Sequence, residues 1–210
     1  MSITAVIFDL GGVVIASPMQ TFANHEREQG LEPNFINRMI VRNGHDSAWG
    51  RLERGEIAMN SEFFASFDAE LSAAGAPGLS SHAVFADVAK AAGVNRNMVT
   101  AIGRLRDAGY GLAALTNNWV NDGETSDTHG VKDLFDVFVE SAVEGVRKPD
   151  PRIYQIACER LDVEPSAAIF LDDIGQNVKS ARTLGMTTIK VEDPARAIVE
   201  LEQLLNLPLQ

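Results

Sequence analysis

The stretch VIFDLGGVVI, residues 6–15, joins an apolar run to a single carboxylate followed by two glycines. The apolar run at residues 6–8 is typical of a strand that is buried on both faces of a parallel sheet. A charge at the end of a buried strand needs a partner or a chemical role, so Asp9 is the first candidate site residue. Residues 11 and 12 are both glycine, so the backbone shortly after Asp9 carries no side chain at these two positions.

The length of the chain is enough for one good core, or for one domain carrying a smaller insertion, and its composition is ordinary for a globular protein. The chain has 210 residues, of which 45% are hydrophobic, and its formal net charge is −11. A surface this acidic repels nucleic acid and anionic membranes, so we expect neither as a partner. An anionic substrate would need a local positive group to bind such a protein.

Cys158 is the only cysteine, which excludes an internal disulfide and fits a reducing compartment. The first residues lack a basic region followed by a long apolar stretch. No apolar run approaches the length of about 18 residues that a membrane span needs. The sequence therefore predicts no secretion signal, no membrane span and a cytoplasmic location.

Short apolar runs separated by helical periodicity predict the fold class. The predicted strands are residues 5–8, 112–115, 137–139, 168–171 and 187–191. Helical patterns lie between most of these runs, and a last amphipathic helix is predicted at 195–205. Strands that alternate with helices predict an α/β fold with a Rossmann-like parallel sheet core, flanked by helices and connected by right-handed crossovers.

The first two predicted strands are separated by a long segment without a convincing strand. This segment consists of helical patterns broken by polar loops, so it predicts a helical insertion over the sheet. We predict a core made of residues 1–16 and 92–210, and a helical cap made of residues 17–91.

Polar residues follow four of the predicted strands. They are Asp9 after the first, Thr116, Asn117 and Asn118 after the second, Arg147 and Lys148 beyond the third, and Asp172, Asp173 and Asn177 after the fourth. The carboxyl ends of parallel strands meet at one edge of a sheet, so we expect these groups to converge there. Three carboxylates and one lysine indicate a hard divalent cation bound by oxygen, next to an anion.

Each residue taken alone has a simpler interpretation. Asp9 is compatible with a turn former, Lys148 with a solvated charge, and Asp173 with a helix cap. Residues 116–118 are compatible with an ordinary polar loop. Asp172 is harder to explain in this way, because two adjacent carboxylates after a buried run repel each other unless a cation is present. The shared position of all these residues after strands favours a common site.

Four segments together resemble the ordered motifs of the haloacid dehalogenase superfamily. They are DLGGV at 9–13, LTN at 115–117, KP at 148–149 and LDD at 171–173. The helical insertion resembles the C1-type cap of that superfamily. Further similarity, to the N-terminal phosphatase domains of soluble epoxide hydrolases, lies in LTNNW at 115–119, KPDPRIY at 148–154 and FLDDIGQN at 170–177. The likeness covers nearly the whole chain and is loosest in the cap.

The resemblance implies a Mg²⁺-dependent phosphatase that acts on a small phosphorylated metabolite through an aspartyl-phosphate. Asp9 would be the nucleophile. The implied direct metal ligands are Asp9, Asp173 and the carbonyl of Gly11, while Asp172 would act through a water molecule. The residues implied to bind substrate are Thr116, Asn117, Gly12, Lys148 and Asn177. Of these, Thr116 and Lys148 are also implied to take part in catalysis.

Gly11 departs from the pattern that the resemblance implies. Phosphatases of this superfamily usually carry a second aspartate there, which protonates the leaving oxygen and later activates water. Such acid–base catalysis contributes about 10²- to 10⁴-fold, so we expect activity to persist with a bias toward good leaving groups. His25, His45 and Arg51 are candidates for replacing the acid, although isolated residues of these types in a helical insertion are more often at the surface or in packing.

Two alternatives stay open at this point. A 2-haloacid dehalogenase needs neither a proton donor nor a metal, but it leaves the pair Asp172 and Asp173 without a function. A non-catalytic phosphate-binding module would explain Gly11 as a mark of lost turnover. The physiological substrate and the oligomeric state cannot be predicted from the sequence. Residues 51–57 fit either a charged turn that faces the core or a solvated loop.

Overall fold

The computed structural model describes residues 2–91, 93–121, 124–125 and 130–210. The strands in this part of the chain are β1 Ala5–Phe8, β2 Gly111–Thr116, β3 Val120–Asn121, β4 Glu124–Thr125, β5 Val137–Glu140, β6 Ala168–Asp172 and β7 Thr187–Lys190. The α-helices are α1 Pro18–Glu28, α2 Phe35–Asn43, α3 Ala48–Glu53, α4 Ser61–Ala74, α5 Ser81–Ala91, α6 Arg96–Asp107, α7 Ser141–Glu144, α8 Pro151–Leu161, α9 Gly175–Thr183 and α10 Pro194–Leu205. Short 3₁₀ helices occur at Gly44–Asp46, Lys132–Leu134 and Pro165–Ala167.

Five strands form one sheet in the order β5-β2-β1-β6-β7, and every pair in it is parallel. The predicted α/β fold with a parallel sheet core is thereby confirmed, and the ends of the five predicted strands agree with the structure to within one residue. Every residue of β1 and of β6 is buried, which explains why their sequences are continuously apolar.

Alternate residues of the central strand β1 face opposite sides of the sheet. Val6 and Phe8 pack with residues of helices α6 and α10, whereas Ala5 and Ile7 pack with residues of α8 and α9. The sheet therefore lies between two apolar layers, and its carboxyl edge is left for polar residues.

The helices α1–α5, here called the cap helices, follow β1 and have an apolar core of their own. This core is rich in aromatic residues and includes Phe22, Trp49, Phe63, Phe67 and Phe85. Apart from single bridges that join Ile15 to Gly11 and to Val94, the described residues between β1 and β2 form no strand. Residue 92, at which the predicted core resumes, lies outside the described residues.

The short antiparallel pair β3 and β4 was not among the predicted elements. Each of these strands has two residues, which is too short for any periodicity to show in the sequence. Within the described residues, no helix is both long and apolar enough to cross a membrane.

Candidate active site

The carboxyl ends of three neighbouring strands bring the predicted site residues together. Asp9 directly follows β1, Thr116 ends β2 and Asp172 ends β6. The strands β2 and β6 flank β1 in the sheet, and their parallel registers place these ends side by side. This is the edge at which open parallel sheets bind their ligands.

Lys148 lies at the centre of this edge and is only 1% exposed. Its Nζ atom is 2.8 Å from Asp9 Oδ1 and 2.8 Å from Asp172 Oδ2. It also donates a hydrogen bond of 2.8 Å to the carbonyl oxygen of Leu115. All three ammonium hydrogens thus have an acceptor, so the alternative that Lys148 is a solvated surface charge is wrong.

Asp172 is fully buried and is held by several donors besides Lys148. The Nδ2 atom of Asn177 donates to both of its oxygens, at 3.1 and 3.0 Å. The backbone N–H of Ile174 donates to Oδ1 at 2.7 Å. The amide of Asn177 is therefore committed to orienting Asp172, and the prediction that Asn177 binds substrate stays a prediction.

Asp173 occupies the space that a side chain at Gly12 would need. A Cβ atom built on Gly12 would lie 2.2 Å from Asp173 Oδ2, and Gly12 has a positive φ of +78°. The hydroxyl of Ser17, which caps helix α1, donates to the same oxygen at 3.4 Å. Gly12 thus makes room for Asp173, while its predicted part in substrate binding remains untested.

The three aspartates form a compact group that carries more negative charge than Lys148 alone balances. Asp9, Asp172 and Asp173 each offer an oxygen within 4.8 Å of the others. Burial raises the pKa of Asp9 well above its usual range; Lys148 opposes this, and the charges of Asp172 and Asp173 add to it. Burial and the charge of Asp172 raise the pKa of Asp173 to about 6. A divalent cation fits this group, because it would supply the charge that one lysine cannot.

The two asparagines after β2 have their side chains turned to the protein. Asn117 Oδ1 accepts a hydrogen bond of 2.8 Å from the backbone N–H of Lys148, and its Nδ2 donates to the carbonyl oxygen of Lys148 at 3.2 Å. Asn118 is buried and donates to Glu140 Oε1 at 2.8 Å. Asn117 therefore positions the lysine loop, and Asn118 connects β2 to the end of β5. Thr116 is buried at the end of β2.

Glu53 is a buried carboxylate near the site that the sequence did not single out. It is the last residue of α3, and its Oε2 atom lies 2.7 Å from Arg147 Nε and 3.5 Å from Asn117 Nδ2. Burial raises the pKa of Glu53, although the charge of Arg147 opposes this rise. Of the two interpretations of residues 51–57, the structure shows the charged turn that faces the core.

The three candidates for replacing the missing acid are His25 in α1, His45 in the 3₁₀ helix Gly44–Asp46 and Arg51 in α3. His25 pairs with Asp87 at 3.0 Å and His45 with Asp46 at 3.1 Å. Arg51 lies 3.3 Å from Glu62. None of these three candidates lines the cavity beside Gly11, so the structure does not bring them to the position of the absent aspartate.

A cavity of about 320 Å³ opens beside Gly11 and Thr116. It lies between the carboxyl edge of the sheet and the helices α1 and α5. Its described lining residues are Leu10, Gly11, Ile15, Ala16, Ser17, Pro18, Thr21, Met59, Phe85, Val88, Ala89, Ala91, Thr116, Asn117, Asn118, Trp119 and Asn121. Both the sheet and the cap helices therefore border this space, which reaches Leu10 and Gly11, the two residues that follow Asp9.

The fold and the aspartate–lysine group define an α/β protein with an acidic site at the carboxyl edge of its sheet. Residues 3–185 match the family described as haloacid dehalogenase-like hydrolase, and the chain therefore belongs to that family of hydrolases. The resemblance found in the four sequence motifs is thereby confirmed.

Curated relatives include proteins that are longer than this chain. The chain is 40% identical over 210 residues to acyl-CoA dehydrogenase family member 10 of Mus musculus, covering 99% of this chain and 20% of that protein. It is 32% identical to bifunctional epoxide hydrolase 2 of Sus scrofa, covering 100% of this chain and 40% of that protein. It thus spans a fifth to two-fifths of these two relatives.

A third relative has nearly the same length. The chain is 28% identical over 204 residues to a sesquiterpene phosphatase of Aspergillus oryzae, with 96% of each protein covered. Among solved structures, a HAD family enzyme from Bacteroides thetaiotaomicron superposes with a TM-score of 0.64 at 21% identity, covering 93% of this chain and 98% of that one. That superposition shows a shared fold.

Proposed function

We propose that this chain is a Mg²⁺-dependent phosphatase that hydrolyses a small phosphate monoester through an aspartyl-phosphate on Asp9. The observation that carries the proposal is the position of Lys148, buried and 2.8 Å from both Asp9 and Asp172. A buried ammonium group beside a carboxylate nucleophile suits the approach of a phosphate dianion. Membership of the hydrolase family and the similarity to a phosphatase of the same length support the assignment.

The metal ligands that we assign are Asp9, Asp173 and the carbonyl oxygen of Gly11, with Asp172 acting through water. Oxygen ligands suit Mg²⁺, and the three carboxylates offer oxygens within 4.8 Å of one another. When bound, the ion offsets the repulsion between carboxylate and phosphate, which is about 4 kcal/mol for unit charges about 4 Å apart at an intermediate dielectric.

Asp9 supplies the nucleophilic oxygen. That oxygen forms a bond to phosphorus while the bond from phosphorus to the leaving oxygen breaks, and the electron pair stays on the leaving oxygen. Water then attacks phosphorus and releases the Asp9 carboxylate, and both water protons remain on the dihydrogen phosphate that is formed. The backbone N–H of Leu10 donates to Asp9 Oδ1 at 2.7 Å, which together with Lys148 fixes the carboxylate for attack.

The phosphate oxygens are held by the remaining groups at the edge of the sheet. We assign this role to the hydroxyl of Thr116, the backbone of Asn117 and the ammonium group of Lys148. Lys148 stabilises the negative charge that develops as the ester bond breaks. Because Asn117 both donates to and accepts from the backbone of Lys148, it links the phosphate-binding loop to the lysine.

Gly11 determines which esters this site hydrolyses well. It can give its carbonyl to the metal but has no group that protonates the leaving oxygen. The expected loss is about 10²- to 10⁴-fold for leaving groups that need a proton, such as alkyl alcohols. In the first step, which forms the aspartyl-phosphate, leaving groups that are stable as anions lose little, so we assign a preference for them to this enzyme.

We assign residues 17–91 to a cap and residues 1–16 with 92–210 to the catalytic core. The cap helices have their own apolar core, and the cavity beside the aspartates lies between them and the sheet. The small phosphorylated metabolite would bind in this space. The net charge of −11 opposes nucleic acid and anionic membranes as partners.

The two alternatives have less support from the site. A 2-haloacid dehalogenase needs no metal and would give no function to the group of three aspartates. A phosphate-binding module would bind a phosphate ester without turnover, although the nucleophile and its lysine are both in place.

The proposal is tested by the hydrolysis of 4-nitrophenyl phosphate with Mg²⁺, with a chelator, and in the variant Asp9→Asn. We expect chelation and Asp9→Asn each to lower kcat/KM by about a thousandfold or more, because one removes the charge compensation and the other the nucleophile. The matched control is Asp46→Asn, whose side chain is 96% exposed on the cap and should leave the rate unchanged. Equal rates under all conditions would refute the proposal, and binding of the ester without turnover would indicate the phosphate-binding module.

A further inference from the structure

The walls of the cavity beside Gly11 are mostly apolar. Ile15, Phe85, Val88 and Trp119 are among its lining residues, and no charged side chain is among the described residues that border it. Its polar lining residues are Ser17, Thr21, Thr116, Asn117, Asn118 and Asn121. Two of them, Thr116 and Asn117, belong to the groups assigned to phosphate binding, while the larger part of the cavity surface is apolar.

The aromatic wall is held in place from both sides of the cavity. Trp119, from the loop after β2, lies 6.3 Å from Phe85 of α5 and 6.1 Å from Trp49 of α3, measured between ring centroids. Phe85 is 6% exposed and also contacts Trp49, with ring centroids 5.8 Å apart. This wall is thus built jointly by the core and the cap helices, and it gives the cavity a fixed apolar surface.

Gly11 lines this cavity and lies two residues after the proposed nucleophile Asp9. A Cβ atom built on Gly11 would have Pro18 Cδ as its nearest neighbour, at 3.7 Å, and both residues line the cavity. A longer side chain at position 11 would therefore enter this space. Glycine at this position therefore provides no proton donor and leaves the space next to Pro18 free.

We propose that this cavity binds the apolar body of the leaving group, and that the substrates are acyl or aryl phosphates. This inference rests on the proposed phosphatase function and adds the class of substrate. The two properties come from separate observations, since Gly11 favours a leaving group stable as an anion and the cavity walls favour an apolar one. A polyol phosphate is disfavoured on both grounds. Its alkoxide leaving group needs a proton, and each hydroxyl buried without a partner weakens binding by about 5- to 150-fold.

The size of the cavity limits the leaving group. A volume of about 320 Å³ has room for roughly ten water-sized groups at about 30 Å³ each. Carboxylate leaving groups up to about eight carbons therefore fit within it, as does a one- or two-ring phenolate. Longer chains would extend beyond the walls and gain no further burial.

The test is a series of acyl phosphates from acetyl to dodecanoyl, hydrolysed by the full chain with Mg²⁺. The acidity of the leaving carboxylate is nearly constant along this series, so only apolar size varies. We expect kcat/KM to rise about three- to fourfold per methylene and to level off near eight carbons, as burial of each methylene predicts. Phenyl and naphthyl phosphates form a second arm, which shows whether aryl groups use the cavity equally well.

The variant Val88→Asn tests the assignment of the site. It places an amide in the apolar wall and should lower kcat/KM for octanoyl phosphate about tenfold or more relative to acetyl phosphate. Val41→Asn makes the same change on an exposed part of α2, where Val41 is 66% exposed, and should leave the whole series unchanged. Because the chain-length series needs no variant, the proposal stays testable if Val88→Asn fails to fold.

The outcomes separate the two proposals. Hydrolysis of acetyl phosphate that depends on Mg²⁺ and Asp9, with no dependence of kcat/KM on chain length, would overturn the substrate class and leave the phosphatase function standing. A lack of hydrolysis for every ester would overturn both.

Discussion

Gly11 and Gly12 are neighbours in the chain but differ in their tolerance of a side chain. Gly12 has a φ of +78°, and a Cβ atom there would lie 2.2 Å from Asp173 Oδ2. Gly11 has no positive φ, and the atom nearest to its built Cβ is Pro18 Cδ at an ordinary contact distance of 3.7 Å. Packing therefore requires glycine at position 12, whereas position 11 has room for a side chain. The effect that we assign to Gly11 is chemical, because glycine has no group that protonates the leaving oxygen.

The variant Gly11→Asp tests this difference directly. A carboxyl group at position 11 can protonate an alkoxide leaving group, which glycine cannot do. We expect the ratio of kcat/KM for ethyl phosphate to that for 4-nitrophenyl phosphate to rise by about tenfold or more, since only the alkyl ester needs the proton. The measurement is the rate of phosphate release from both esters with Mg²⁺.

A matched change at the neighbouring glycine serves as the control. Gly12→Ala would strain the backbone and displace Asp173, so it should lower the hydrolysis of both esters together. If Gly11→Asp leaves the ratio of the two rates unchanged, the leaving group receives its proton from another residue and the account of Gly11 is wrong.

The turn after α3 is the element that joins the cap helices to the lysine loop. Glu53 contacts Arg147, which directly precedes Lys148 in the chain. It also contacts Asn117, which hydrogen-bonds the backbone of Lys148. Two residues later, Gly55 has a φ of +68°, and a Cβ atom there would lie 2.2 Å from the carbonyl oxygen of Ala142. Glycine at this position thus allows the turn to approach the core backbone closely.

Gly55→Ala should loosen this contact, and Gly30→Ala provides the matched control. Gly30 has a similar φ of +64° and no neighbouring atom within 4 Å of a built Cβ. Both variants bear the cost of a left-handed alanine, about 1–2 kcal/mol, but only Gly55→Ala also pushes the turn away from the core. We expect a larger fall in the free energy of unfolding for Gly55→Ala, and a fall in kcat/KM for this variant alone.

Urea unfolding and the hydrolysis of 4-nitrophenyl phosphate measure the two effects separately. Equal losses of stability and unchanged kcat/KM in both variants would show that the contact between the α3 turn and the core has no part in ordering the site.

The strands could be predicted because their signal lies in a few consecutive residues, whereas contacts between distant segments could not. The continuously apolar residues 6–8 and 169–171 revealed buried parallel strands, and the rule that strand ends converge then placed Asp9 and Asp172 together. The contact of Glu53 with Arg147 joins residues far apart in sequence through the packing of helices, for which no periodic pattern exists. The same holds for the cavity, whose walls come from several separate segments.

At the scale of the whole molecule, the two chain crossings between the sheet and the cap helices run side by side. The backbone N–H of Ala16 donates to the carbonyl oxygen of Gly93 at 2.9 Å, and that of Asn95 to Val14 at 2.8 Å. Both crossings lie next to the segment that carries Asp9, Gly11 and Gly12. The position of the cap helices and the geometry of the nucleophile loop are therefore set by the same short stretch of backbone.

The central claim is that Asp9 becomes covalently phosphorylated, and the direct measurement is the mass of the peptide that contains it. The protein is mixed with Mg²⁺ and excess 4-nitrophenyl phosphate, quenched in acid within the first turnovers and digested. Because Gly11 cannot activate water for the second step, the intermediate should accumulate, and we expect the mass of one phosphoryl group on the Asp9 peptide. With a chelator this added mass should be absent. Release of nitrophenol in the first turnover, with the Asp9 peptide unmodified, would contradict the account.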